Sequence, residues 1–207
     1  ESRKYYNQDL TNVSEEEQHT AISKEKVDAE VVGLSFGTYL ISQDKNNMYI
    51  MDIHAANERI NYEKYLKALK ERKFSKMQLL IPFTFEYTTN EYLILKNNFE
   101  LIQSYGFDIE EFGGNTLRVT AHPTWIKEGI EEESVRRVLD IIINIKDKFD
   151  PVRFNESVAI TLACKASVKA NTNIPFEEQE RLLHDIFECE FPYTCPHGRP
   201  TIIKYPK

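Results

Sequence analysis

Apolar residues in this chain come in short periodic bursts and never in a long run, and this limits the fold more than any other feature. Even the densest stretch, Leu139 to Ile145, is broken by Asp140 and Asn144. No segment approaches the roughly 20 apolar residues that span a bilayer. Each burst must therefore bury one face against a partner element, and its period says what kind of face it is. Val32, Leu34, Phe36 and Leu40 alternate with smaller or polar residues, which is strand spacing. Asp44 to Asn47 is a polar turn and Met48 to Ile53 a second strand, giving a hairpin. From Ala55 to Arg72 the spacing becomes helical, through Tyr62, Tyr65, Leu66 and Leu69, with basic residues at the end where they suit the helix dipole.

A middle block follows. Gln78 to Tyr87 reads as a strand, and Thr88-x-x-Glu91 is a capping box that opens a helix. Tyr92, Leu95, Phe99 and Ile102 form its apolar face, and Gly106 suits its stop. Phe107 to Phe112 and Thr116 to Ala121 are strands around the Gly113-Gly114-Asn115 turn. Glu131 to Phe149 is a strong helix with acidic residues first and basic residues last. The register changes after Asp150-Pro151. Asn155 caps a further helix running to about Ala170, rich in small residues that allow a neighbouring backbone close. After a break at Asn171 to Pro175, another helix turns Leu182, Leu183, Ile186 and Phe187 inward, and Thr201 to Ile203 is a short strand. Residues 1–29 hold four Lys/Arg against seven Asp/Glu and few large apolar residues, so they read as a disordered linker remnant of a longer polypeptide.

Composition narrows the function. At 207 residues, 41% hydrophobic and 29% charged, the chain suits a soluble protein of one large or two small domains. Its polar, acidic start does not resemble a signal peptide, which points to the cytoplasm. The net charge of −7 argues against a stand-alone nucleic-acid binder, yet leaves room for a nuclease whose DNA affinity comes from elsewhere. Three cysteines, Cys164, Cys189 and Cys195, make a poor disulfide framework; they read as reduced thiols or as metal ligands. Nucleophile elbows, Gly-rich phosphate loops and CxxC pairs are all missing.

Two short segments carry metal-type chemistry. His54 and Glu58 stand at i and i+4 of a helix, with Asp52 at the strand-to-helix junction before them. Imidazole with carboxylates suits Zn²⁺ or Mn²⁺, although such a pair also occurs on solvated helix faces. In Cys195-Pro196-His197, an extended backbone points thiol and imidazole the same way, and Gly198 permits a close approach or a turn. Cys164 reads as a small buried hydrophobe and Cys189 as structural.

Together these segments resemble the MutL family of mismatch-repair proteins. Asp52-Ile53-His54-Ala55-Ala56-Asn57-Glu58, followed by Glu63, is similar to the family's endonuclease motif, with Ile53 where the family has Gln. Ala163-Cys164-Lys165 resembles its A-C-R/K element, and Cys195 to Pro200 matches its C-P-H-G-R-P element. The resemblance covers residues 30–207. It implies an α+β fold in which a dimerisation and endonuclease subdomain (30–72 plus 152–207, a mixed sheet with helices) is interrupted by an inserted regulatory α/β subdomain (75–150). It implies a metal-dependent endonuclease that nicks duplex DNA to initiate repair. Asp52, His54 and Glu58 would be catalytic. With Cys164, Cys195 and His197 they would hold structural or regulatory Zn²⁺ and catalytic Mn²⁺. Glu63, Lys165 and Arg199 would support them. ATP would act only at the family's N-terminal domain. The implied partners are a second copy of the chain, duplex DNA (bound weakly by this fragment), the mismatch-recognition protein MutS and the polymerase sliding clamp, with no membrane and with nucleoid association. Gln78, Leu79, Leu80, Ile81 and Pro82 resemble the clamp-binding segment, with Met77 where its first Gln would stand. The alternative is a non-catalytic, zinc-stabilised dimerisation and clamp-docking module.

Overall fold

The computed structural model describes residues 27–71, 74–145, 149–167 and 173–207. In chain order the first elements are β1 (Glu30–Ser35), β2 (Tyr39–Gln43), β3 (Asn47–Asp52), α1 (Ile53–Glu71) and β4 (Lys76–Glu86). Next come α2 (Thr89–Asn97), α3 (Phe99–Ser104), β5 (Asp108–Glu111), β6 (Thr116–Pro123) and α4 (Glu131–Ile143). The last are α5 (Pro151–Ala166), α6 (Phe176–Glu188) and β7 (Ile202–Pro206). The chain is α+β, with two antiparallel sheets ordered β1-β2-β3-β7 and β4-β6-β5.

Alternation builds the first sheet. Leu40, Ser42, Tyr49 and Met51 point to a buried face, while Tyr39, Met48, Ile203 and Tyr205 remain exposed on the strands. The β1–β2 turn has Phe36 and Gly37 at φ 55° and 60°, a left-handed pair that matches the twist of the strands it joins. At the next turn the Asp44 carboxylate accepts from the Asn46 and Asn47 N–H groups, both at 2.7 Å, and from the Tyr49 hydroxyl at 2.6 Å. In the second sheet, β4 slips register between Gln78 and Phe83, so Leu79 to Pro82 stand opposite the single residue Thr120.

Several helix ends differ from the sequence reading. The helix opened by the Thr88 box breaks at Asn98, whose side-chain amide donates to the Ile94 carbonyl at 2.8 Å and ends α2. α4 stops at Ile143, well short of Phe149, where Asn144 similarly donates to Asp140 O. Residues 146–148 lie outside the described residues. Asp150, not Asn155, caps α5: its carboxylate accepts from Val152 and Arg153, and Pro151 takes the first helical position. Asn155 is buried within α5 and accepts from the Tyr105 hydroxyl at 2.8 Å. Ser167 is extended and ends α5, and Ala170 lies outside the described residues. Of the segment read as linker, residues 1–26 are not described; Val27 and Ala29 pack on the core.

Two apolar cores result. One joins Phe85, Leu95, Ile102, Leu117, Leu139 and Leu162; the other joins Leu40, Tyr49, Met51, Leu183 and Ile186. Helix α1 runs through both, burying Ile53 and Ala56 in the second and Tyr65 and Leu69 in the first. α5 lies along α1, where Ala159 and Ala163 are fully buried. None of the described helices is long and apolar enough to cross a membrane.

Candidate metal centre

The site forms where β3 hands over to α1. The Asp52 N–H donates to Thr201 O at 2.9 Å and the Ile53 N–H to Thr38 O at 3.0 Å, which pins the junction to its neighbouring strands. The Asp52 carboxylate accepts from the Ala55 N–H at 3.0 Å and caps the new helix. Within the first turns, the His54 Nε2 stands 3.3 Å from Glu58 Oε1. The other Glu58 oxygen lies 3.1 Å from His197 Nδ1. Cys195 is buried, and its sulfur accepts from the His197 N–H at 3.4 Å. Ligand atoms of Glu58, Cys195 and His197 lie within 4.8 Å of one another, a group that could hold a metal ion.

Cys195 and His197 meet through a turn, where the sequence reading had an extended strand. The Gly198 N–H donates to Cys195 O at 3.0 Å, the Cys195 N–H donates to Arg199 O at 2.8 Å, and Thr194 bridges Pro200. Gly198 sits at φ 81°, a left-handed conformation that residues with a Cβ rarely adopt. The loop thus folds back on itself and aims both side chains at α1.

Burial sets the electrostatics. The Glu58 side chain is only 4% exposed, and a buried carboxylate is costly unless it is paired. Its neighbours are imidazoles and a thiol, and carboxylate, imidazole and thiolate together are a donor set suited to zinc and its relatives. The residues therefore fit a bound ion. Cys164, which reads from the sequence as a small buried side chain, is instead exposed on α5 and lies outside that three-residue group, yet it senses Glu58: partial burial first, then the charge and hydrogen bonding of that carboxylate, push its thiol above the ordinary value.

The supporting residues divide. Lys165 pairs with Glu133 of α4 at 2.7 Å. Arg199 is exposed, and its backbone carbonyl closes the Cys195 turn. Glu63 accepts from the Glu190 and Phe191 N–H groups at 2.7 and 3.1 Å. Ile53 is buried in the second core. Sequence reasoning missed Arg59, which is buried and donates from Nε to Thr194 O. Its partner is a backbone carbonyl, which leaves no mark in a sequence. Gln78 to Pro82 belong to the other sheet, on the irregular stretch of β4, with Leu80 and Ile81 fully or largely exposed.

The chain is thus an α+β protein with a carboxylate–imidazole–thiol cluster, of a type that could hold a metal ion, beside a strand-to-helix junction. The model of the MutL C-terminal dimerisation domain matches residues 32–174. The chain belongs to that family. It is 40% identical over 174 residues to a DNA mismatch repair protein MutL of Lactiplantibacillus plantarum and, likewise, to one of Shouchella clausii; each alignment covers 84% of this chain and 26% of the relative. A MutL of Staphylococcus saprophyticus is 36% identical over 204 residues, covering 97% of this chain and 31% of the relative. The chain thus spans about a quarter to a third of the curated relatives it matches.

Proposed function

We propose that this chain is the metal-dependent, DNA-nicking and dimerising module of a MutL mismatch-repair protein. The observation that carries the reading is the buried Glu58 carboxylate facing His54 on one side and His197, 139 residues away, on the other. His54, Glu58, Cys195 and His197 would hold the ion, with Cys164 joining them. Zinc suits the thiols, and manganese suits the carboxylate and imidazole side. A bound ion would polarise a phosphate oxygen and lower the pKa of a water for attack on phosphorus. Asp52 caps the start of α1 through the Ala55 N–H and would also join the ligands with its carboxylate charge, the part of its role that Asn cannot fill. Arg199, exposed at the end of the Cys195 turn, orients phosphate; Lys165, tied to Glu133, seats α5.

The subdomain division proposed is residues 30–72 with 152–207 for dimerisation and cutting, and 75–150 for regulation; the separate strand sets of the two sheets support it. The exposed Met48, Ile203 and Tyr205 on the first sheet support pairing with a second copy. The exposed Leu80 and Ile81, on the stretch of β4 that slips register, support docking of an extended segment into a sliding clamp. At −7, the chain lacks the phosphate-neutralising charge for tight DNA binding, so cutting depends on tethering by the rest of the protein, by MutS or by the clamp.

Supercoiled plasmid is incubated with Mn²⁺ and the full-length protein, as wild type, Asp52→Asn and Glu58→Lys. Nicking is expected from the wild type and its loss from both variants. Equal nicking by all three removes the endonuclease reading and leaves the zinc-stabilised docking module.

A further inference from the structure

Beside the donor set, α1 carries a second device that the chemistry above does not use. Arg59 follows Glu58 directly and is 8% exposed. Its Nε donates to Thr194 O at 2.5 Å, and its Nη1 is 3.7 Å from Glu63 Oε1. The guanidinium lies over the rings of Tyr62 and Phe191, at 5.3 and 5.9 Å from their centroids. Glu63, one turn further on, takes the Glu190 and Phe191 N–H groups on its two oxygens. The buried Cys189 thiol sits in the same cluster, pushed up to about 12 by burial and then by Glu63. Two side chains of one helix turn therefore hold the loop between α6 and the Cys195 turn at three backbone groups.

From this we infer that Arg59 and Glu63 are a positioning pair that sets the Cys195–His197 turn over Glu58 and so governs how tightly the centre holds its ion. The inference rests on the metal reading above. Thr194 immediately precedes Cys195, and the turn behind it is closed by the Cys195 N–H on Arg199 O. A displacement at Thr194 therefore reaches the sulfur and the imidazole with little backbone to absorb it. Metal ligands tolerate about 0.5 Å of misplacement. The same arm is also tied to Thr201, by its N–H on Tyr193 O at 3.1 Å and its hydroxyl on Pro192 O. Without Arg59 the arm keeps those ties and loses its side-chain hold at Thr194, the residue next to the first ligand. A planar, permanently charged guanidinium suits this task, because it can meet a carbonyl, a carboxylate and two ring faces at once.

The test is zinc affinity by chelator competition, on the full-length protein as wild type, Arg59→Met, Arg59→Lys and Glu63→Gln. Arg118→Met is the control, removing another surface ion pair, with Glu110, in the second sheet. Amide exchange at Cys195 and Gly198 is followed in parallel. Loss of a partner that orients ligands typically costs about 10–100-fold in metal affinity. Arg59→Met is expected to weaken zinc within that range and to speed exchange at both amides. Arg59→Lys should recover part of the loss and Arg118→Met should bind as wild type. Should Arg59→Met fail to fold, Glu63→Gln, which keeps size and one acceptor, carries the same expectation. Folded Arg59→Met or Glu63→Gln with wild-type zinc affinity and exchange overturns the pair while the metal reading stands. A wild-type protein that takes up no zinc overturns both.

Discussion

The bond between the Tyr105 hydroxyl and Asn155 Oδ1 offers a sharp test of how the two halves of the fold are joined. It is 2.8 Å long and spans 50 residues, and its partners are 2% and 6% exposed. It ties the end of α3 to α5, the helix that delivers Cys164, and the Tyr105 ring also meets Phe154 edge-on at 4.8 Å. Tyr105→Phe leaves the Asn155 carbonyl without this donor; Asn155→Leu does the converse to the hydroxyl. Stranding a buried polar group costs about 1–3 kcal/mol, whereas replacing both partners with apolar groups is nearly neutral. For a chain of this size each kcal/mol moves the melting temperature by about 2–4 °C. Each single variant should therefore melt roughly 4–8 °C lower for a mid-range loss of about 2 kcal/mol. The double variant should return to within about 1 kcal/mol of wild type. Urea titrations followed by circular dichroism close the double-mutant cycle. Purely additive losses, or single losses below about 0.5 kcal/mol, refute the reasoning.

Three further outcomes are expected. Zinc at about 100 times its dissociation constant should add about 2.7 kcal/mol and raise the melting temperature by roughly 5–10 °C, an effect that chelation reverses and Glu58→Gln abolishes; scanning fluorimetry reads this directly. The Asp44 carboxylate is held well below its ordinary value of 3.8, first by the Tyr49 hydroxyl, so its stabilisation is present above that pH and is lost as pH falls below it. Asp44→Asn should flatten the acid limb of stability against pH, and an unchanged limb would remove the argument. Leu80→Glu with Ile81→Glu alters side chains that stand in solvent, so stability should stay within about 0.5 kcal/mol while clamp binding by calorimetry disappears; retained binding excludes this segment as the docking site.

The periodic bursts carried most of the fold. The run from Val32 to Leu40, which reads as one strand, is split by the left-handed Phe36–Gly37 turn into β1 and β2, while Met48 to Ile53 became β3 and helical spacing became α1, α4 and α6, because amphipathic faces are local information and a turn inside an alternating run is not. Helix ends were harder to read. Asn98 and Asn144 each turn a side-chain amide onto the carbonyl four residues back while the apolar face runs on past them, so spacing alone overshoots. The start of α5 is set by Asp150-Pro151, a cap followed by a first-turn proline, while the small residues after Asn155 mark where it packs and not where it begins. At the site, His54 with Glu58 and Cys195 with His197 were each visible as neighbours. Their meeting depends on β7 pairing with β3 and on a carbonyl at Thr194, neither of which has a side-chain signature.

The pairing of β7 with β3 also bears on the order in which the molecule is made. Glu58 and His197 are 139 residues apart, and the strand that seats the second directly follows its turn. A ribosome delivers the first donors early and the last ones only after the second sheet and helices α2 to α6 have emerged. Closing so long a loop is entropically late, whatever its final stability. A nascent or prematurely terminated chain therefore carries half of the candidate centre: the Glu58 carboxylate and the His54 imidazole, without the thiol–imidazole turn. On the metal reading proposed above, completeness of translation becomes a condition for loading an ion.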